Sequence, residues 1–182
     1  MKPAVSPSRY IVYLLIVVGA LAADLLTKHW AFAWLGPPGG RTWWLWEGVF
    51  GFQTSLNRGA LFGIGQRLWP LFAALSVGAV IGVAIYLFVY GAARDWLLTV
   101  ALGFVTGGIL GNLYDRLALH DIRFDGAPLH AVRDFIVMCQ VGQWHWPNYN
   151  LADASLVCGA ALLICHAFFT KPAPAADGVS ES

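Results

Sequence analysis

WLLTVALGFVTGGILGNLYDR, residues 96–116, decides how this chain must be read. From Trp96 to Tyr114 the stretch carries no charge, and it matches the roughly 20 helical residues that cross a bilayer core. Gly103, Gly107 and Gly111 are expected to let neighbouring helices approach closely. The stretch then closes on Asn112-Leu113-Tyr114-Asp115-Arg116, and helical spacing sets Asn112, Asp115 and Arg116 on one face. An apolar span that ends in an amide, an acid and a base is the pattern to look for elsewhere.

Three further stretches qualify as spans: about Tyr10 to Trp30, about Leu68 to Tyr90 and about Asn150 to Phe169. Gly78 and Gly82 in the second are read, like the glycines of the third, as points of close helix approach. Trp30, Trp69, Tyr90, Trp96 and Tyr114 sit near the ends of these spans, where amphipathic rings prefer the headgroup level. Composition agrees, with 58% hydrophobic and only 12% charged residues and a mean hydropathy of +0.63. A soluble domain carries about a quarter charged residues. The expected fold is an all-α membrane protein of four transmembrane helices with a small extracytoplasmic β-rich segment. Residues 1–170 form one domain, and 171–182, rich in Pro and small polar residues, form a disordered tail. A net charge of +1 offers no broad basic surface, so no nucleic acid partner is expected.

Lys2, Arg9 and Ala20-Leu21-Ala22 imitate a cleavable secretory signal. The apolar run nevertheless continues to Trp30, and Asp24 and Lys28 fall four apart, where they neutralise each other. The segment is therefore read as the first span. Cys139, Cys158 and Cys165 lack metal-ligand spacing and are read as small packing residues.

Between the spans lie two long segments, about 31–67 and 115–149, and a short link from Gly91 to Asp95. RTWWLWEGVFGFQ, residues 41–53, is dense in aromatic, β-branched and glycine residues, which suits short strands or a layer on the membrane surface. Four spans place both termini on one side and both long segments on the other. The basic residues flanking the spans favour cytoplasmic termini only weakly.

A carboxylate at a helix centre costs about 2.5–3.5 kcal/mol on insertion scales, and less near an interface. Asp24, Asp115 and Asp153 all fall at or near the span ends that face the long segments, and Asp134 lies within the second segment. Four carboxylates thus gather at one side of the membrane. For Asp115 the simpler reading is a self-satisfied helix end, neutralised by Arg116. For Asn150 and Asp153, three apart at the start of the fourth span, helix capping and a functional role stand level. Asp134 follows Arg133, so a surface ion pair is its plain alternative.

Two carboxyls brought together in a partly dry site share one proton. The ionised member takes a proton from water while the protonated member polarises a peptide carbonyl, and hydrolysis follows without a metal or covalent intermediate. There is no His-Glu-x-x-His, no Gly-x-Ser-x-Gly and no phosphate-binding glycine loop. His120, His130 and His145 are irregularly spaced, which makes a metal site the minor option. His29 and His166 are read as interfacial or packing residues.

Several separated motifs then resemble, in order, those of the bacterial lipoprotein signal peptidase (signal peptidase II) family. They are Asp24-Leu25-Leu26-Thr27-Lys28, Asn57-Arg58-Gly59-Ala60-Leu61-Phe62-Gly63, Gly107-Gly108-Ile109-Leu110-Gly111-Asn112 with Asp115-Arg116, Val132-Arg133-Asp134-Phe135, and Tyr149-Asn150-Leu151-Ala152-Asp153. The resemblance implies a membrane aspartic endopeptidase that cuts prolipoproteins before a diacylglyceryl-modified cysteine. It implies Asp134 and Asp153 as the catalytic pair, and Asn57, Asn112, Arg116 and Asn150 as substrate-positioning or site-supporting residues. Asp24, Lys28 and Asp115 take structural polar roles. It further implies no metal or cofactor, contacts with membrane lipids, a monomer, and a site on the periplasmic face of the inner membrane with both termini cytoplasmic. The chain differs from the family pattern in a longer segment from Leu117 to Arg133, and in Arg133, Tyr149 and Leu61, which stand where apolar, Phe and Ala residues are commoner. Rival readings are a small transporter, against which stand the missing inverted repeat and the one-sided carboxylates, and a non-enzymatic membrane scaffold.

Overall fold

The computed structural model describes residues 4–59, 65, 68–141 and 144–169. The Ala60 to Gly63 part of the second motif and the expected tail at 171–182 lie outside the described residues. Four helices in it are long and apolar enough to cross a membrane. Helix α1 spans Pro7–Leu35. Helix α2 spans Trp69–Ala84 and widens into a single π-helical turn, Ile85–Val89. Helix α3 spans Trp96–Arg116, and α4 spans Leu151–Phe169. These bounds agree with the sequence reading except in α1, which runs past Trp30 to Leu35. Nothing before Gly36-Pro37 stops a helix there: Gly36 takes φ +83 and its N–H closes the last turn on the Phe32 carbonyl at 3.2 Å.

Helix α3 is the centre of the bundle. Half of its apolar window is buried, against 6% for α2. Its glycines explain why. A methyl group on Gly107 would lie 2.6 Å from Ala20 Cβ and 3.1 Å from the Val17 carbonyl oxygen, and one on Gly103 would lie 3.0 Å from Ile16 Cγ2. On the next face, a methyl on Gly108 would meet the Ala152 carbonyl oxygen at 2.5 Å, and Gly159 of α4 approaches the Ala101 carbonyl in the same way. Close backbone approach replaces the hydrophobic drive that helices lack in lipid. A buried hydrogen bond from Tyr13 Oη to Thr106 Oγ1, 3.0 Å, joins α1 to α3.

Gly78 and Gly82 do not play the part expected of them. Nothing lies within 4 Å of a methyl built on either. Helix α2 is peripheral: within Trp69–Ala84 only Ala73 is buried, and the helix is anchored at its far end, where Leu87 is enclosed and Phe88 stacks on Tyr10 and meets Tyr13 edge-on. Cys158 and Cys165, read as packing residues, are exposed on α4.

The segments between helices build the sheet. Strands β1 (Trp43–Trp46) and β2 (Phe50–Asn57) form an antiparallel hairpin, as the residue types of 41–53 predict. The third strand, β5 (Val132–Met138), comes from the second long segment and pairs antiparallel with β2, giving the order β1-β2-β5. Between α3 and β5 a short hairpin of β3 (Arg123–Phe124) and β4 (Ala127–Pro128) fills the longer Leu117–Arg133 segment, and β6 (Gln140–Val141) pairs with β7 (Trp144–His145). The sheet docks on the end of α1 through Ala31, Phe135 and Ile136, flanked by Phe50 and Phe52. Trp30, Trp34, Trp43 and Phe52 continue that contact as a chain of stacked and edge-on rings.

The glycine faces differ enough to be told apart by substitution. Gly107→Ala is expected to destabilise the protein by about 1–3 kcal/mol, the usual cost of overpacking. Gly78→Ala is expected to be neutral or slightly stabilising, because Ala is the better helix former and meets no neighbour. Thermal midpoints in one detergent check the pair. Equal effects would remove the close α1–α3 contact from the description.

Candidate active site

The polar residues at the sheet-facing ends of the helices form one connected network. It starts with Lys28, which is fully buried. Its ammonium lies 2.7 Å from Asp24 Oδ2 and 3.1 Å from Asp115 Oδ2, and donates to Asn112 Oδ1 at 3.1 Å. The two carboxylate contacts are ion pairs and the amide contact a hydrogen bond. Asp24 also receives the Ala152 N–H on Oδ1 at 2.9 Å, which fixes the first turn of α4 against α1. The carboxylate of Asp24 also lies where a side chain on Gly111 would go.

Asp115 is not neutralised by Arg116. Its partners are Lys28 and Arg133, whose Nε and Nη2 reach Oδ1 at 3.0 and 2.8 Å while its backbone N–H reaches Oδ2 at 2.9 Å. Adjacent residues on a helix point in different directions, so Asp115 and Arg116 part company. Arg133 is likewise no surface partner for Asp134. It is buried, and neighbouring residues of a strand face opposite ways.

Of the two readings left level above for Asn150 and Asp153, the structure shows the capping one directly. Asn150 caps α4: its Oδ1 accepts from the Asp153 N–H at 3.0 Å, and Asp153 Oδ2 reaches back to the Asn150 N–H at 3.2 Å. This reciprocal capping box holds the helix start. The remaining atoms of both side chains point into the network. Asn150 Nδ2 donates to Asp134 Oδ1 at 2.6 Å and to Asn112 Oδ1 at 3.1 Å, and Asn112 Nδ2 donates to Asp153 Oδ1 at 2.8 Å. Two asparagines thus tie the strand acid Asp134 to the helix acid Asp153.

Asp134 stands on β5 opposite Ser55, and β2 ends beside it at Asn57, whose side chain favours the charged form of the Asp134 carboxyl. Asn57 Oδ1 accepts from the Gly59 N–H at 3.0 Å, which turns the chain out of the strand. Arg116 lies over the Phe72 ring at 5.5 Å, within electrostatic reach of Asp153 first, then Asp134 and Asp115. All nine polar residues singled out in the sequence therefore meet in one place. The reading missed Arg133 and the backbone of Ala152. A signal existed for Arg133, a charge beside Asp134 in an otherwise apolar run.

Burial pushes the Asp134 carboxyl up to about 8, and the charge of Asp153 pushes it the same way, against the opposing pull of Asn150, Lys28 and Asn57. Asp153 is half-buried and accepts hydrogen bonds on both oxygens. Asp134 forms part of the floor of an open cleft of about 920 Å³ whose lining comes from β2, the β3–β4 hairpin and the turns at Pro37–Gly39 and Pro147–Asn148. His120 and His130 are otherwise occupied. His120 takes the Ile122 N–H on Nδ1 and bonds the Ala131 carbonyl through Nε2, and His130 stacks on Trp69 and bonds the Arg116 carbonyl.

This fold is shared with solved bacterial membrane enzymes. One aligns with a TM-score of 0.69 at 26% identity, covering 86% of this chain and 87% of its own, and a second with 0.68 at 25%, covering 87% and 94%. Residues 16–169 match the family model for signal peptidase (SPase) II, and the chain belongs to that family. It is 42% identical to the lipoprotein signal peptidase of Rhodopirellula baltica, over 94% of this chain and 78% of that one. It is 36% identical to the lipoprotein signal peptidase of Aquifex aeolicus, over 88% of each.

The raised Asp134 carboxyl has a consequence for stability. An unfolded Asp titrates near 3.9, so between about pH 4 and pH 8 the unfolded chain loses a proton that the folded one keeps. Folding stability from this group is therefore present below about pH 4 and lost as pH rises to about 8. Asp134→Asn is expected to remove that loss, so the variant gains on the wild type as pH rises. Thermal midpoints of both proteins across that range check it, and a variant that loses ground to the wild type as pH rises would contradict the assignment.

Proposed function

We propose that this chain is an aspartic endopeptidase that removes signal peptides from prolipoproteins, cutting before the diacylglyceryl-modified cysteine, with Asp134 and Asp153 as its catalytic pair. The observation that carries the reading is the pairing of a buried acid that holds its proton to about pH 8 with a half-buried acid beside it. The two sit at the border of a four-helix membrane bundle, in a chain of the signal peptidase II family.

At neutral pH Asp134 supplies the proton and Asp153 the charge. Asn150 occupies Asp134 Oδ1 and leaves the other oxygen to donate to the scissile carbonyl. Asp153, oriented by Asn112 and by the Asn150 N–H, draws a proton from a water that attacks the carbonyl carbon. The tetrahedral intermediate collapses as that proton passes from Asp153 to the amine and the hydroxyl formed at the former carbonyl oxygen returns its proton to Asp134, which leaves an acid, a free cysteine amine and the starting protonation of the pair. Arg116 balances the single negative charge that the pair carries throughout.

The relatives' name gives the substrate class, and the location of the pair fits it. A leader helix and acyl chains in the hydrocarbon bring a bond at the membrane border to Asp134 and Asp153. The cleft then faces the periplasm, both termini lie in the cytoplasm, and residues 1–170 act as one monomeric domain in the inner membrane.

Asp134→Asn and Asp153→Asn are each expected to lower cleavage of a lipid-modified precursor at least about a hundredfold, within the range for a lost general acid or base. Substantial turnover by both variants would sink the pair. Acyl chains fix the depth of the cysteine, so an unlipidated precursor of the same sequence is expected to be cut far more slowly by the wild type. Equal rates on matched membrane-associated precursors would show that lipid is not being read.

A further inference from the structure

We infer that Arg58 and Arg123 make the outer part of the cleft a reading site for acidic residues of the substrate, in the mature segment just downstream of the cut. The inference rests on the peptidase reading above and names a specificity element for it.

The direction of the cleft comes first. None of the residues that line it belongs to a membrane-spanning helix. From Asp134 it therefore leads away from the bilayer. The leader helix and the acyl chains belong to the hydrocarbon, so the chain that lies in the cleft is the hydrophilic one that follows the lipidated cysteine.

One wall offers that chain a backbone. Strand β1 pairs with β2 only from Phe50 to Phe52, while β5 pairs with the other edge as far as Asn57. Among the described residues the β1-side edge of β2 from Thr54 to Asn57 has no strand partner, and this stretch lines the cleft. An extended peptide adds to such an edge as a further strand, with side chains alternating toward the walls.

The other wall is a built element. In the β3–β4 hairpin Asp125 and Gly126 take φ +49 and +79, the two left-handed residues of a type I′ turn. Its base is closed by the Leu129 N–H on the Ile122 carbonyl at 3.1 Å and by the Ile122 N–H on His120 Nδ1 at 3.1 Å. With Nδ1 accepting, Nε2 carries the hydrogen and donates to the Ala131 carbonyl at 3.1 Å, so the hairpin is fastened to the start of β5.

Charge then selects the occupant. The Arg58 guanidinium reaches from the end of β2 to 5.1 Å over the Phe124 ring and links the two walls. Arg123 donates to the Gly126 carbonyl at 3.2 Å. Both are exposed cleft residues. Although Asp121 and Asp125 share the hairpin, neither guanidinium forms an ion pair with a carboxylate among the described residues. The acid on the cleft floor, Asp134, is protonated at neutral pH. Two guanidiniums without a carboxylate partner among the described residues thus border the groove, and a carboxylate on the entering strand answers them.

The test is cleavage of three lipid-modified precursors that differ only in the residues directly after the cysteine: acidic, neutral amide and lysine versions. All are presented in uncharged detergent without anionic lipid. The wild type is expected to favour the acidic over the lysine version in kcat/KM by roughly threefold to tenfold, the size that exposed charge pairs allow. The difference should lie in KM and shrink as salt rises. In the Arg58→Gln/Arg123→Gln protein the ratio is expected to fall to about one, whereas Arg41→Gln, outside the cleft, keeps it. Equal rates in the wild type, or an unchanged ratio in the double variant, overturn the inference while the peptidase reading stands. If the wild type cuts none of the three, the peptidase reading fails and this inference falls with it.

Discussion

The Lys28 ammonium, buried and held by Asp24, Asp115 and Asn112, is the contact on which the rest of the molecule depends. A lone charge in such a place is prohibitive, and a pair with one partner missing typically costs about 3–5 kcal/mol. The remedy is local neutrality. Asp24 and Asp115 are matched by Lys28 and Arg133, two acids by two bases, and every ion contact in the group is 3.1 Å or shorter. The cluster also ties distant chain segments together. Asp24 and Lys28 come from α1, Asp115 from α3 and Arg133 from β5, and Asp24 holds the start of α4 through the Ala152 N–H. Close approach is what makes this possible, since Gly111 leaves the room that the Asp24 carboxylate fills.

Neutral amides separate this cluster from the acid pair, and the separation matters. A direct Lys28–Asp134 ion pair would drive the Asp134 proton off. Instead Asn112 turns its oxygen toward Lys28 and Asn150, and its nitrogen toward Asp153. The ammonium fixes which way that amide faces, and the amide in turn holds Oδ1 of Asp153 while the Asn150 N–H holds Oδ2. Lys28 therefore orients the pair while acting on Asp134 only as a secondary charge, behind burial, Asp153 and Asn150. Rigid positioning without neutralisation is what the proposed proton-sharing pair requires.

The spans were legible because a bilayer sets a length that composition reveals at once. The glycines were legible only by half. Small residues are frequent in apolar helices, and whether one marks a contact depends on the partner helix, which is present for Gly107 and missing for Gly78. Strand β5 was hidden because almost all of Val132–Met138 is buried, so no alternation shows, and its partner β2 lies far away in sequence. The pairing of the charges was misread where sequence neighbours were taken for spatial ones. Asp115–Arg116 on a helix and Arg133–Asp134 on a strand both separate, and the true pair crosses between the elements. The gathering of acids at one side was visible because Asp24, Asp115 and Asp153 sit at or near the ends of apolar runs, where depth follows from the spans, and Asp134 lies in a segment joining two of those ends.

That depth also explains the longer first helix. An acid pair at the bilayer centre would carry the full insertion cost, whereas at the border it is cheaper to hold and within reach of water. The sheet that supplies Asp134 must then stand just above the border, and α1 sets its height. From Trp30 to Leu35 the helix rises roughly 7.5 Å at 1.5 Å per residue, and this extension carries Trp34 to its contacts with Trp43 and Phe52. Just beyond its end, the Gly36 carbonyl accepts from Thr54 Oγ1 at 3.0 Å, in the open stretch of β2. Trp30, on the same helix, stacks on Trp34 and meets Phe52 edge-on. One helix thus carries the ammonium that orients the acids and, further along, the platform that holds the cleft wall above them. Any shift of α1 along its axis would move both together, so the register between the acid pair and the cleft is built into a single rigid element.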